Sequence, residues 1–495
     1  MQAVSIFTSF FLFLCSFETS AQNKRDYQWI IGGYSSGEGI FLDFNHNLVN
    51  IEFGQTGIKM EGSNTSMSNE NGNFLFASNG CKVVNAKKQI MENGDGINPG
   101  IIGDFYCPFG GSPLIQGVIA IPSPEGDSLY YVFNLDYDQP YVFDTMFYGV
   151  APQRLYYQKI DMTHDSGYGA IVLKNQIAIL DTFARGYIKA VRHANGKDWW
   201  IIVPKSHSNC YFLVPITSEG VQPAQLKCSG KVWTDDDSGG QAVFTPDGKK
   251  YIRFNWWNGL NIFNFNTATG DLSNPIDIMF PNDTINYVGG AAVSSNSRYL
   301  YVCARKKVYQ FDLQAPNVED SKVLVAVYDG YQNPNSTIFY LAALAPDSKI
   351  YISSTSSTLN LHVINKPNCP GLSCELEQHG VVLPAYNFAT IPNMPHYGIS
   401  NDNCDSTSNT DAELADHPVL VYPNPTKRTV WINLKAIEGG EYEMKICNIT
   451  GQLVFSTTLI QPLSNIDISQ LKNGAYYYSI KGGSNRANGI ILKIE

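Results

Sequence analysis

Two short stretches carry the side chains best suited to chemistry. Trp233-Thr-Asp-Asp-Asp-Ser-Gly-Gly240 sets an indole beside three consecutive carboxylates, and Trp256-Trp-Asn-Gly259 follows one strand–turn–strand later. Aromatic faces stack on sugar rings while amides and carboxylates take their hydroxyls, so Trp233, Trp256, Trp257 and Asn258 are candidate ligand contacts. Asp235, Asp236 and Asp237 are candidate oxygen ligands for Ca²⁺, although they lack the alternating spacing of an EF-hand loop. His207, within Pro204-Lys-Ser-His-Ser-Asn209, and Tyr331 are further candidates for the same mouth of the fold.

A catalytic constellation does not accompany them. The chain has no Gly-x-Ser-x-Gly elbow, phosphate loop or zincin helix, and no Ser-x-Asp-x-Gly-x-Thr-Trp box. His193 reads as a hydrogen-bonded residue of an inner strand, and His396 as a singleton. The reading that follows is non-catalytic binding of a glycan or protein. Two alternatives stay open. One is a Ca²⁺-assisted hydrolase, lactonase or lyase using Asp235 to Asp237 and Asp283. The other is a structural adhesion or surface-layer role. No cofactor is expected beyond that possible Ca²⁺.

Charge narrows the partners. With 44 acidic against 34 basic side chains, the net charge of −10 leaves no basic surface to neutralise phosphates, so nucleic acid is not an expected ligand. The 42 Gly, 29 Tyr and 26 Phe, with only 16% charged residues, suit a large all-β protein rich in turns.

The elements that must position these residues come from an internal repeat. Ala242-Val-Phe-Thr-Pro-Asp-Gly-Lys-Lys-Tyr-Ile-Arg253 is a small-residue strand, a tight polar turn and a strand of Tyr, Ile and similar residues. Related copies begin at Met67, Ile121, Val191, Val293 and Leu344, about fifty residues apart except across an insertion around Tyr137 to Gln153. Several strands per unit at that period indicate a β-propeller over residues 27–400, with seven blades and six as the alternative. The seventh inner strand is expected at His396-Tyr-Gly-Ile-Ser400. Its outer strands would come from Trp29-Ile-Ile-Gly-Gly33 and Gly39-Ile-Phe-Leu-Asp-Phe44, closing the ring with both ends of the chain.

The ends of the sequence speak of export. Ile6 to Phe17 is an apolar run too short to span a bilayer, and Thr19-Ser20-Ala21 suits signal peptidase, so residues 1–21 read as a signal peptide. No later segment is apolar enough to be a transmembrane helix. Residues 401–417 are a polar linker, and residues 418–495 form a compact all-β module. Ten Cys become nine after cleavage, leaving at least one unpaired within the chain. Cys369 with Cys374 across a four-residue turn is the leading disulfide, and Cys81 with Cys107 and Cys210 with Cys228 are further pairings. Cys303 and Cys447 are expected as buried thiols in apolar strands.

Within the terminal module, Tyr422-Pro423-Asn424-Pro425, then Asn448-Ile-Thr-Gly451-Gln-Leu-Val454, then Ile466-Asp467-Ile-Ser-Gln-Leu-Lys-Asn-Gly474-Ala-Tyr476 fall in a characteristic order. The module resembles the C-terminal sorting domain of the type IX secretion (Por secretion) system. That resemblance implies an immunoglobulin-like sandwich in a protein of Bacteroidota, with the secretion machinery as partner. It also implies export through the periplasm to the outer-membrane surface or the medium. The region before it resembles the propeller ectodomains, WD-repeat or quinoprotein-like, that precede such tags. Matching stretches are Asn71 to Gly80, Met91 to Gly94, Leu155 to Met162, His193 to Trp200 and Phe263 to Leu272.

Overall fold

The fold is described from a computed structural model. The described residues are 23–32, 37–136, 140–143, 147–233, 239–255, 257–280, 289–398 and 404, together with 420–422, 424, 426–433, 441–448, 452–460, 463–482 and 485–494. The expected signal peptide, Trp256, Asp235 to Asp237, Asp283, Pro423, Pro425, Gly451 and all of the linker except Cys404 lie outside them.

The recurring turn phrase has one physical cause. In each copy an Asn or Asp at the turn, or Ser123 in the copy that begins at Ile121, accepts backbone N–H groups that the strands leave free, so the reversal is satisfied locally. Asn195 Oδ1 accepts from Lys197 and Asp198, Asp247 Oδ1 from Lys249, Asn296 Oδ1 from Arg298, and Asp347 Oδ1 from Lys349. Gly248 completes its turn at φ 72°, a left-handed conformation that a side chain would oppose.

Each turn joins the first two strands of an antiparallel sheet. Seven sheets follow one another through residues 28–388. The fifth is typical, with Gln241–Phe244, Lys250–Asn255, Gly259–Phe265 and Leu272–Ile278 in that order from the inside outward. Inner and middle strands are buried at nearly every position, as in Trp199–Pro204 and Tyr299–Ala304, because a neighbouring sheet covers each face. Outer strands such as Leu272–Ile278 face solvent along most of their length. The third sheet carries the insertion, a hairpin of Pro140–Phe143 and Phe147–Val150.

Apolar clusters fill the spaces between successive sheets, pairing first with second, second with third, and onward to sixth with seventh. A last cluster returns from the seventh to the first, packing Trp29, Leu42 and Phe44 against Leu341, Tyr351 and Leu361. Full burial of side chains of this size stabilises by about 1.5–3 kcal/mol each. The result is a closed β-propeller in which each sheet is read as a blade.

The first sheet has Gln28–Ile31, Glu38–Asp43 and Asn50–Gln55. Its innermost strand runs opposite to Thr65–Ser68 of the second sheet. Asn64 bonds the Ile30 carbonyl, Ser66 the Gln28 carbonyl and Ser68 N–H the Arg25 carbonyl. The vacant inner position is taken by residues 391–398, which run parallel to Thr65–Ser68. Asn393 lies beside Asn64 and Thr65, Met394 beside Ser66 and Tyr397 beside Met67. Both ends of the chain therefore build the first blade. The expected strand at His396 to Ser400 is corrected in two respects. The segment begins earlier, and residues 391–398 form no strand ladder, because Pro392 and Pro395 lack the amide donors one needs; Ile399 and Ser400 lie outside the described residues.

Disulfides join Cys81 to Cys107, Cys210 to Cys228 and Cys369 to Cys404. The expected Cys369–Cys374 bridge is absent. Cys374 ends the 3₁₀ turn Gly371–Cys374 as a buried free thiol packed with the sixth and seventh sheets. Burial pushes its thiol up to about 11. Cys303 is a buried free thiol as expected, whereas Cys447 is only half-buried.

The terminal module has two sheets. One orders Leu420–Tyr422, Thr429–Asn433 and Leu463–Asp467. The other orders Leu453–Leu459, Tyr442–Asn448, Gly474–Gly482 and Asn485–Lys493. Val430, Ile432, Met444, Ile446, Ile480 and Ile491 form the core between them. The motif residues stitch its turns. Tyr422 pairs with Trp431, Asn424 Oδ1 accepts from Leu492 N–H, Asp467 Oδ1 from Ser469 N–H, and Tyr476 O–H donates to the Lys472 carbonyl.

Candidate ligand-binding site

The central channel is organised by the closing segment. Asn393 Nδ2 donates to the carbonyls of Val118, 2.8 Å, and Ile188, 2.9 Å, while its Oδ1 accepts from Lys189 Nζ at 3.0 Å. The same ammonium donates to the Met394 carbonyl at 3.0 Å. One asparagine thus ties the third and fourth sheets to the segment that completes the first. Gln116 bridges similarly to Ala242, and Gln241 to Ala291 and Ala342. Side-chain amides suit this role because each offers donor and acceptor where inner strands diverge.

Burial governs charge here. It pulls Lys189 down to about 7, pushes Asp26 up to about 7, and holds His396 near 3 with the adjacent Lys189 adding to the effect. A small cavity of about 30 Å³ touches Asp26, Trp29, Lys189 and His396.

Below this the channel opens into a pocket of about 940 Å³. Its walls are the turns of the fourth, fifth and seventh sheets, around Ala194, Asp247 and Ser348, and its floor is the end of the closing segment, His396 to Gly398. Tyr397 is fixed edge-on to Trp199, with ring centroids 5.8 Å apart. Arg192 lies 4.3 Å over the same indole and donates Nη1 to the Gly196 carbonyl. Asn23 Oδ1 has no hydrogen-bond partner. His193 belongs to this rim, in the turn after Lys189–Arg192. Its Nδ1 accepts from Asn195 N–H and its Nε2 lies 3.1 Å from the Ala268 carbonyl, which corrects its expected inner-strand position.

The opposite mouth, where the sequence placed the ligand, is different. Trp233 is 2% exposed, its Nε1–H bonded to Asn261 and its ring 3.5 Å from the Arg253 guanidinium. It is a core residue. Asn258 is also buried, with its N–H held by Asn255 Oδ1. Trp257 is 38% exposed. His207 stands exposed in the loop whose Ser208 carbonyl meets Trp233 N–H, with Nδ1 2.8 Å from Ser206 Oγ. Tyr331 lies elsewhere, stacked 4.1 Å from His379 at the junction of the sixth and seventh sheets, where His379 Nε2 meets Asp329 at 3.0 Å. The predicted set is therefore dispersed, and Trp233 and Asn258 are withdrawn as surface contacts. Among the described residues, no group of three or more His, Cys, Asp or Glu side chains is arranged to hold a metal ion. No described helix is long and apolar enough to cross a membrane.

Comparison with known proteins bears on both parts. Residues 420–493 match the family described as secretion system C-terminal sorting domain. No curated protein matches the chain. Among solved structures, it is similar to the beta-propeller domain of Myceliophteria thermophila Cps50 (Swd1). The identity is 11% and the TM-score 0.34, covering 67% of this chain and 91% of that one. It is also similar to a functionally unknown protein from Desulfotomaculum acetoxidans, at 15% identity and a TM-score of 0.38, covering 72% and 98%. The architecture rests on the sheets and their packing. Residues 420–493 are a type IX secretion sorting domain behind a β-propeller, and the chain is exported to the cell surface or extracellular space.

Proposed function

We propose that this exported propeller binds a glycan non-catalytically in the pocket at the lower end of its channel. The observation that carries the reading is the pocket itself. It is a concavity of about 940 Å³ whose walls are turns from three sheets and whose floor is the fixed ring of Tyr397. An aromatic floor with scattered single donors and acceptors suits a hydroxyl-rich ligand. Non-catalytic binding follows from the chemistry of the lining. The Asp247 and Asp347 carboxylates are occupied by their own turns, and His193 is bonded through both ring nitrogens. Neither a nucleophile and base nor a free pair of carboxylates is set across the pocket.

The test is binding of the full chain to an immobilised glycan array, with Ala194→Trp as the comparison, because Ala194 is exposed on the rim and an indole there narrows the entrance. Saturable binding that Ala194→Trp weakens supports the proposal. Binding unaffected by Ala194→Trp, or no binding to any glycan, contradicts it.

A further inference from the structure

We infer that the ligand of this pocket carries a carboxylate, as a uronic-acid-bearing saccharide does, and that Arg192 receives it. The inference rests on the pocket being a glycan site and adds its chemical class.

Four other arginines of the propeller are already engaged. Arg25 is paired with Glu70, Arg154 with Asp136 and Arg298 with Asp312. Arg253 has no ion pair among the described residues, but it is sealed between Trp233 and Tyr187. Arg192 differs from all of these. Its one hydrogen bond among the described residues is the Nη1 donation to Gly196, and it lines an open pocket. Stacking on Trp199 fixes the plane of the guanidinium, so the fork is held before the ligand arrives and little side-chain freedom remains to be lost. Burial works against this charge, the Arg25 guanidinium opposes it further, and among the described residues no carboxylate pairs with it. Such a fork binds a carboxylate through parallel N–H···O bonds more strongly than any neutral acceptor.

The carboxylates in the same lining do not fill that role. Asp247 accepts from Thr245 Oγ1 and Lys249 N–H, with Lys249 Nζ 3.7 Å from its other oxygen. Asp347 accepts from Tyr351 O–H and Lys349 N–H, and burial raises its carboxyl above the usual range, which weakens its repulsion of an incoming anion. Asn23 Oδ1 at the pocket edge has no partner but is buried, so the sugar character of the ligand rests on the glycan reading of the pocket and the carboxylate on Arg192. A saccharide bearing a carboxylate is a uronic acid. An extended acidic peptide would need an open strand edge for its amides, and the pocket is walled by turns.

The experiment is calorimetric titration of the full chain with galacturonate, glucuronate and mannuronate oligosaccharides, each beside its methyl ester. Esterification removes the charge and little else. The expected result is that at least one acid binds about ten-fold or more tightly than its ester. Arg192→Gln should erase that ratio, and Arg192→Lys should keep part of it. A thermal unfolding midpoint equal to that of the unsubstituted chain reports that Arg192→Gln is folded. Equal binding of acid and ester overturns the carboxylate inference and leaves the glycan site standing. An acid preference that survives Arg192→Gln, or equal competition by a poly-glutamate peptide, also overturns it. Binding of no saccharide at all overturns both readings.

Discussion

Replacing Asn393 by Ala should open the ring at its closing segment. The side chain makes four bonds that Ala cannot make, to the Val118 and Ile188 carbonyls, from the Lys189 ammonium and, at a long 3.5 Å, from Gln116 Nε2. Leaving the long one aside, two neutral bonds at about 1 kcal/mol each and one to a charged group at about 1.5–3 kcal/mol sum to roughly 3–5 kcal/mol. Lys189, 6% exposed, would keep only the Met394 carbonyl, so the loss falls on a charge with no route to water. For a domain of this size each kcal/mol moves Tm by about 2 °C, which predicts a drop of roughly 5–10 °C. Scanning calorimetry of the full chain measures it, with the sorting domain's own transition as internal reference. Asn393→Asp should fall between the two. It restores the pairing with Lys189 but turns carboxylate oxygens on the two carbonyls. A shift below about 1 °C for Asn393→Ala would refute the idea that this residue holds the closure together.

Other outcomes follow from the same contacts. Lys189 binds fewer protons folded than unfolded between about pH 7 and 10.5, so its contribution makes the fold more stable as pH rises through that window. Urea unfolding at about pH 7 and pH 9.5 should show that gain shrinking in Lys189→Met, and an unchanged difference would contradict the buried amine. Cys404→Ser opens a loop of 35 residues and should lower stability by about 3–4 kcal/mol. Peptide mapping without reductant should recover Cys369 joined to Cys404 and Cys374 as a thiol, and recovery of Cys369 with Cys374 would reverse the assignment.

Much of the fold was legible because local chemistry repeats. The Asn or Asp that caps most inner turns recurs in the sequence as it does in space, and proximity in the expected propeller anticipated Cys81 with Cys107 and Cys210 with Cys228, the latter across paired strands of the fourth sheet. Return of the chain to the first blade was legible from strands without an inner partner. The form of that return was not, since Pro392 and Pro395 convert an expected strand into a segment held by side chains. Cys374 misled because short separation says nothing about which way a 3₁₀ turn points its thiol. Trp233 misled in a similar manner. Its polar neighbours suggested a loop, yet its indole covers a buried arginine. The pocket was invisible for a different reason. Its lining residues sit in turns far apart in sequence, and each already has a sufficient role in its own hairpin. Lys189, a cation that opens the buried strand Lys189–Arg192, is a signal the sequence analysis passed over and that could have pointed to the channel.

A crystal structure of the full chain soaked with the tightest saccharide tests the central claim most directly. Sugar density is expected over Tyr397, between the turns at Ala194 and Asp247, with a ligand oxygen on Arg192. Density at the opposite mouth beside Trp257, with the lower pocket empty, would contradict it.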